Sequence, residues 1–233
     1  MKISLLLLCY NEAKTIADEI NSWSETLGKL PQEFEFEILV VEDGSTDGTS
    51  EILGNLQSQR LIHHLHEEKR SGYNKALHRG LKSCSGDYIF FSDTGLKNDL
   101  NDFWAIFYRR DLGDLILGRK VLRSDQLYRR ILTKSLNFYL RKTLKPKFNF
   151  YDVDSGFRMF NREFKEYLLK TGFNFKGFAG CEMVLLAWKS NYKVIEVPIS
   201  YPGRDGDSRG IPNTKIISMI LQLLSDIKKL VKN

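Results

Sequence analysis

The sequence predicts an α/β protein: a single domain whose mostly parallel central sheet is flanked by helices, with a helix-rich C-terminal part. Three observations carry this expectation. Short apolar runs alternate with helix-period segments at the spacing of βαβ units. Acidic, polar turns follow several of those runs. The chain has 233 residues, 42% hydrophobic and 27% charged, which is enough for one large core.

In chain order, Ile3–Cys9 is a nearly continuous apolar run, as expected of a strand covered on both faces. A helix is expected from about Glu12 to Leu27. Phe36–Val41 reads as the second strand and Thr49–Gln57 as the second helix. Leu61–Leu65 and Tyr73–Ser83 repeat the pair, and Tyr88–Ser92 is a fourth strand. A helix near Asp102–Arg109 and a strand at Leu112–Leu117 follow, with right-handed crossovers throughout. Beyond residue 120 the rhythm turns helix-rich, with one more strand at Lys193–Val197. The domain is placed at residues 1–212 and an amphipathic C-terminal helix at 213–233. Trp23, Trp104 and Trp188 fall in helical patterns and read as packing. No apolar run approaches the ~20 residues that span a bilayer, and no signal-peptide pattern is seen. Cys9, Cys84 and Cys181 are widely spaced, which argues against disulfides and suits a reducing cytoplasm.

In open α/β sheets, ligands bind outside the carboxyl ends of the strands. Tyr10-Asn11-Glu12 follows the first strand, Glu42-Asp43-Gly44-Ser45-Thr46-Asp47-Gly48-Thr49 the second, and Asp93-Thr94-Gly95-Leu96-Lys97 the fourth. No dinucleotide or P-loop glycine motif is present. Carboxylates at strand ends can accept hydrogen bonds from a nucleobase or ribose, or ligate a divalent cation. Asp43 is read as functional, and Asp47 and Thr49 as turn and cap residues. His64 and His66 share one face of the third strand, but no third ligand of suitable spacing accompanies them, so they are read as structural.

These turns resemble the opening of family 2 glycosyltransferases with the GT-A fold. The resemblance continues through Gly72-Tyr73-Asn74-Lys75-Ala76-Leu77-His78-Arg79-Gly80-Leu81 and Gly86-Asp87-Tyr88-Ile89-Phe90-Phe91-Ser92-Asp93, which leads into the family's D-x-D motif. Asp152-Val153-Asp154-Ser155-Gly156-Phe157-Arg158 and Glu196-Val197-Pro198 are similar to the polyprenyl-phosphate branch, that of dolichyl-phosphate mannose synthase. The resemblance implies a nucleotide-sugar donor across the first, second and fourth strands. Tyr10, Glu12 and Asp43 match positions that hold base and ribose, and Asp93 matches the first Asp of D-x-D. Arg119 and Arg129 match arginines that meet donor and acceptor phosphates. Arg204, Ser208 and Arg209 resemble a loop that closes over the diphosphate.

The chain departs from that pattern at Gly95, which stands where the second Asp belongs. The expected Mg²⁺ or Mn²⁺ site therefore rests on Asp93, with weak or absent metal dependence. Lys97 either stabilises the departing diphosphate in the metal's place or faces solvent, or Asp99 supplies the missing ligand.

Charge is uneven. Residues 1–60 carry 11 acids and 4 bases, whereas Arg119 to Lys147 carries ten bases and one acid. The basic stretch suits an anionic partner such as a lipid phosphate or membrane surface. No nucleic-acid-binding motif accompanies it, so no nucleic-acid partner is expected. A phosphate acceptor, already ionised, needs no general base. A hydroxyl acceptor would need one, and Asp152, Asp154 and Glu182 are the candidates. The expected activity is inverting transfer from a UDP- or GDP-sugar to polyprenyl phosphate at the cytoplasmic membrane face. The protein would be cytoplasmic or peripheral there, with the membrane or a membrane protein as partner. The alternatives are a glycan hydroxyl acceptor, or donor binding without turnover.

Overall fold

The computed structural model describes residues 1–95, 98–123, 127–144, 149–175, 177–202 and 216–232. Its strands are β1 (Lys2–Cys9), β2 (Glu35–Glu42), β3 (His63–Leu65), β4 (Tyr88–Asp93), β5 (Leu115–Arg123), β6 (Phe157–Asn161) and β7 (Val194–Tyr201). The helices are α1 (Ile16–Leu27), α2 (Thr49–Ser58), α3 (Tyr73–Ser83), α4 (Asp102–Phe107), α5 (Leu127–Thr143), α6 (Arg162–Thr171), α7 (Ala179–Lys189) and α8 (Ile216–Lys232). The strands form one sheet in the order β3-β2-β1-β4-β6-β5-β7. β6 runs antiparallel to both β4 and β5, and the other pairings are parallel.

Strand period divides the core into two layers. Ile3, Leu5 and Leu7 of β1 face α1 and α4, where Trp23 lies 5.4 Å from Phe90 and 5.9 Å from Phe103 between ring centroids. Ile16, Ile20, Trp23 and Leu27 of α1 recur at helical spacing to fill that layer. Leu6, Val41 and Phe91 face the opposite layer, built by α3, α6, α7 and α8. Leu223 and Ile227 of α8 are buried there. Among the described residues, no helix is long and apolar enough to cross a membrane.

Several boundaries differ from the sequence expectation, three of them for a clear local reason. α1 begins at Ile16 rather than Glu12, because Asn11 is left-handed (φ 55°) and the Glu12 carbonyl accepts from Thr15 N and Ile16 N in a separate turn. β5 begins at Leu115 rather than Leu112, since Arg110–Leu112 is a 3-10 turn. β7 continues through Pro198. Among the described residues it is an edge strand paired only with β5, so a residue lacking an N–H costs no ladder bond on its open side. The antiparallel β6, inside the region expected to be helix-rich, is an addition.

Candidate active site

Strand order places the carboxyl ends of β2, β1 and β4 side by side: Cys9 pairs with Glu42, and Leu8 with Asp93. The three acidic turns therefore meet at one edge. The β1 and β2 turns are laced together. Asn11 N donates to Ser45 Oγ (2.9 Å), and Thr46 N donates to Asn11 Oδ1 (2.8 Å). Glu12 N donates to Thr49 Oγ1 (2.9 Å), and Asp47 Oδ1 accepts from Thr49 N (3.2 Å). Asp47 and Thr49 are turn residues, as their types suggest.

Asp43 is buried, and its carboxylate is largely engaged. Oδ1 accepts from Ser71 N and Ser71 Oγ, both at 2.7 Å, and Oδ2 accepts from Gly72 N at 2.9 Å. Of about four lone-pair sites on a carboxylate, the described residues leave one, on Oδ2. Asp43 thus fixes the start of α3 as well as standing at the edge where the strand-end turns meet. Beside it, the Arg70 guanidinium lies 4.0 Å from the centre of the Tyr10 ring. The sequence reading passed over Arg70. Its only signal was a base in the loop following a strand at the ligand-binding edge.

Asp93 ends β4. Its N–H donates to Gly156 O (3.0 Å), which joins the Asp152–Arg158 segment to the end of β4 through the antiparallel β6. A Cβ on Gly156 would overlap the Asp93 carboxylate. The Tyr73 hydroxyl, at the start of α3, hydrogen-bonds Asp93, and burial pushes its phenol well above its ordinary range. Arg158 is buried, donating from Nη1 to Gly180 O (2.8 Å) and from Nη2 to Ser155 O. Asp154 has an exposed surface yet sits among protein groups. That crowding raises its carboxyl to about 6, against the pull of Lys120 and Arg158.

The other two candidate bases each accept from backbone amides. Asp152 is buried, with Oδ2 accepting from Lys120 N (3.1 Å). Glu182 is buried, accepting from Asn174 N and Phe175 N at 2.8 Å, and burial raises its pKa nonetheless. Beside Asp152, the ring of Tyr151 is near two guanidinium groups, 5.5 Å from that of Arg119 and 4.3 Å from that of Arg141. Arg119 Nε is buried with no hydrogen-bond partner among the described residues. Arg129 lies on α5, but its side chain falls outside the described residues, as do Lys97, Arg204, Ser208 and Arg209 altogether.

The Asp93-Thr94-Gly95 turn is held from below. Thr94 Oγ1 donates to Leu8 O (2.8 Å), and Gly95 N donates to Glu19 Oε2 (2.7 Å). Gly95 has φ +100°, where side chains are strained, so this turn geometry disfavours an acid at that position. Asp99 Oδ1 accepts from Asn101 N (2.9 Å) and Asn101 Nδ2 (3.0 Å), a local turn that engages one oxygen of the alternative ligand. Asp93, at the end of β4, could hold a divalent cation at this turn, with a bound diphosphate supplying further oxygens.

Comparison with known proteins agrees with this architecture. The family model described as Glycosyl transferase family 2 matches residues 4–168. The chain is 29% identical over 231 residues to glycosyltransferase AglD of Haloferax volcanii, covering 96% of this chain but 36% of that protein. It is 25% identical over 228 residues to the undecaprenyl-phosphate 4-deoxy-4-formamido-L-arabinose transferase of Photorhabdus laumondii, covering 96% of this chain and 67% of that one. Among solved structures, glucosyl-3-phosphoglycerate synthase from Mycobacterium tuberculosis, in complex with Mn²⁺, uridine diphosphate and phosphoglyceric acid, superposes with TM-score 0.72. That match is 20% identical and covers 97% of this chain and 78% of the other, a likeness of fold. The chain thus spans only about a third of the length of the Haloferax relative.

Proposed function

Since the chain belongs to glycosyl transferase family 2, we propose that it moves a sugar, with inversion, from a UDP- or GDP-sugar to polyprenyl phosphate at the cytoplasmic face of a membrane. One observation carries the reading. β6 brings the Asp152–Arg158 segment against Asp93, so donor-side turns and the arginine pair around Tyr151 border one edge of the sheet. The Photorhabdus relative, named for an undecaprenyl-phosphate substrate, supports the acceptor class.

In this reading Tyr10, Arg70, Glu12 and Asp43 hold the nucleoside. Asp93 orients the diphosphate end, and Arg119 and Arg129 meet phosphate groups of donor and acceptor. Guanidinium forks suit phosphate oxygens and stay charged at all working pH. An acceptor phosphate oxygen attacks the anomeric carbon as the nucleoside diphosphate leaves from the opposite face, which inverts that centre. No proton has to be removed, because the phosphate is already ionised. A divalent cation held by Asp93 would screen charge on the leaving diphosphate. With one carboxylate at that turn, metal dependence is weak, and Lys97 and the Arg204–Ser208–Arg209 loop supply positive charge to the same group. Residues 1–212 act as the transferase domain, with the helix in 213–233 as its C-terminal extension.

The second reading, a hydroxyl acceptor, is favoured by Asp154. Its carboxyl, raised to about 6, suits a general base near neutral pH. The deciding experiment measures transfer of labelled sugar from a panel of UDP- and GDP-sugars to short polyprenyl phosphate, with and without EDTA. Wild type, Arg129→Ala, Asp93→Asn and Asp154→Asn are compared. Lipid-linked product that survives EDTA, vanishes in Arg129→Ala and Asp93→Asn, and persists in Asp154→Asn is expected. Product abolished by EDTA overturns weak metal dependence but keeps the acceptor. Donor binding without lipid product, together with transfer to glycans that Asp154→Asn abolishes, selects the second reading.

A further inference from the structure

On the far side of the β2 turn from Asp93, the structure brings together three side chains of a different chemistry. β3 pairs with β2 so that His64 lies opposite Val40, and the two-residue period puts His66 and Glu42 on that same face. Glu42 is buried, His64 partly buried and His66 half-exposed, and one ligand atom from each lies within 4.8 Å of the others. Glu42 Oε2 is 2.5 Å from His66 Nδ1, and the two imidazole centroids are 5.9 Å apart. His64 Nε2 is buried with no hydrogen-bond partner among the described residues. A buried, unpartnered imidazole nitrogen costs free energy unless something ligates it.

We propose that Glu42, His64 and His66 form a binding site for a borderline divalent cation of the Zn²⁺ class, separate from the carboxylate at Asp93. Two imidazoles and one carboxylate suit Zn²⁺, with a water completing a four-coordinate shell, whereas Mg²⁺ and Mn²⁺ prefer oxygen donors. The pairing His64/His66 is visible in the sequence. The third ligand is not, because Glu42 lies on the neighbouring strand. Arg79 directs Nη2 to the carbonyls of Glu42 (3.2 Å) and Leu65 (3.3 Å), while its Nη1 pairs with Glu67. Ser50 Oγ also lies 3.1 Å from His66 Nδ1, and an ion bound at that nitrogen would displace this contact. The ion ties the edge strand β3 to the end of β2. Glu42 Oε1 also accepts from Ser45 N, so the ion stiffens the turn that carries Asp43.

The test adds ZnCl₂ to the purified, chelator-stripped full chain in competition with a chromophoric chelator at neutral pH, and records thermal melting with and without the ion. Wild type and Asp93→Asn should each bind a single equivalent and melt at a higher temperature with Zn²⁺. His64→Gln and His66→Gln should each lose at least about a hundredfold in affinity, the upper end of what losing even a supporting group costs, and lose the thermal shift. His63→Ala, an exposed residue of opposite strand parity, should keep both. Should His64→Gln not fold, the half-exposed His66 decides alone. No equivalent bound by wild type, unchanged affinity in either folded histidine variant, or binding lost in Asp93→Asn overturns the site.

Discussion

Gly156 carries no side chain because Asp93 occupies the space one would need. Gly156→Ala should displace the Asp93 carboxylate and lower transfer by about a hundredfold, the scale of a one-ångström misplacement at a reacting centre. Overpacking should cost about 1–3 kcal/mol of stability. Steady-state kinetics beside a denaturant melt separates the two effects, and unchanged kcat would show that Asp93 plays no part in transfer. Asp154 makes a pH prediction. Its folded pKa of about 6 lies above its ordinary 3.8, so folding takes up a proton and the wild type loses stability as pH rises through 6. Asp154→Asn should match wild type below pH 3.8 and melt higher than it above about 6. A constant difference across that range would refute the shift. At this scale the sequence was a fair guide to position and a poor one to partners. Tyr10, Asp43 and Asp93 stand at the edge their strands imply. That Asp43 is tied to Ser71 and Gly72, and that Asp152 and Glu182 serve backbone amides, depends on contacts 7 to 32 residues apart in the chain.

Glu37 shows how single side chains join elements. From β2 it accepts from Ser4 Oγ of β1 (2.5 Å), from Lys2 Nζ (2.7 Å) and from Ser85 N (2.8 Å), in the turn between α3 and β4. Burial would raise its pKa, yet these donors hold it at about 2 instead of 4.5. Its stabilisation is therefore complete above 4.5 and is lost as pH falls through about 2. Glu37→Gln should cost about 2 kcal/mol at neutral pH, allowing for the partial exposure of Lys2. Urea denaturation of both proteins should show the gap narrowing as pH falls below 4.5. A gap independent of pH would mean that packing, not charge, joins these strands. The first four strands were legible because each is an apolar run followed by a turn at one edge. β6 was not. Phe157–Asn161 spans five residues, Arg158 interrupts its apolar pattern, and its pairing with β4 spans some 65 to 73 residues of chain. A buried arginine reads as surface until the carbonyls of Ser155 and Gly180 that receive it are in place.

Across the whole molecule, the acidic N-terminal part supplies the strand-end turns, while the basic stretch borders β5 and runs along α5. α5 turns Leu140 into the core but leaves Ile131 and Phe138 54% and 60% exposed, with Arg130, Lys134 and Lys142 exposed around them. α8 buries Leu223 and Ile227 and exposes Leu221. Apolar side chains set among bases on an outer helix face suit the interface of an anionic bilayer, where a polyprenyl phosphate would be met. Binding should therefore depend on both terms. Sedimentation with vesicles of phosphatidylglycerol and phosphatidylcholine should retain the full chain at low salt and release it as salt rises. Phe138→Glu removes buried apolar area and adds a like charge, and it should weaken vesicle binding by about tenfold or more. Because Phe138 is exposed and absent from the core, the variant should melt like wild type and bind a soluble nucleotide-sugar unchanged. Equal vesicle binding by Phe138→Glu would remove α5 from the membrane contact, and no binding at any salt would leave the acceptor to be delivered by a partner.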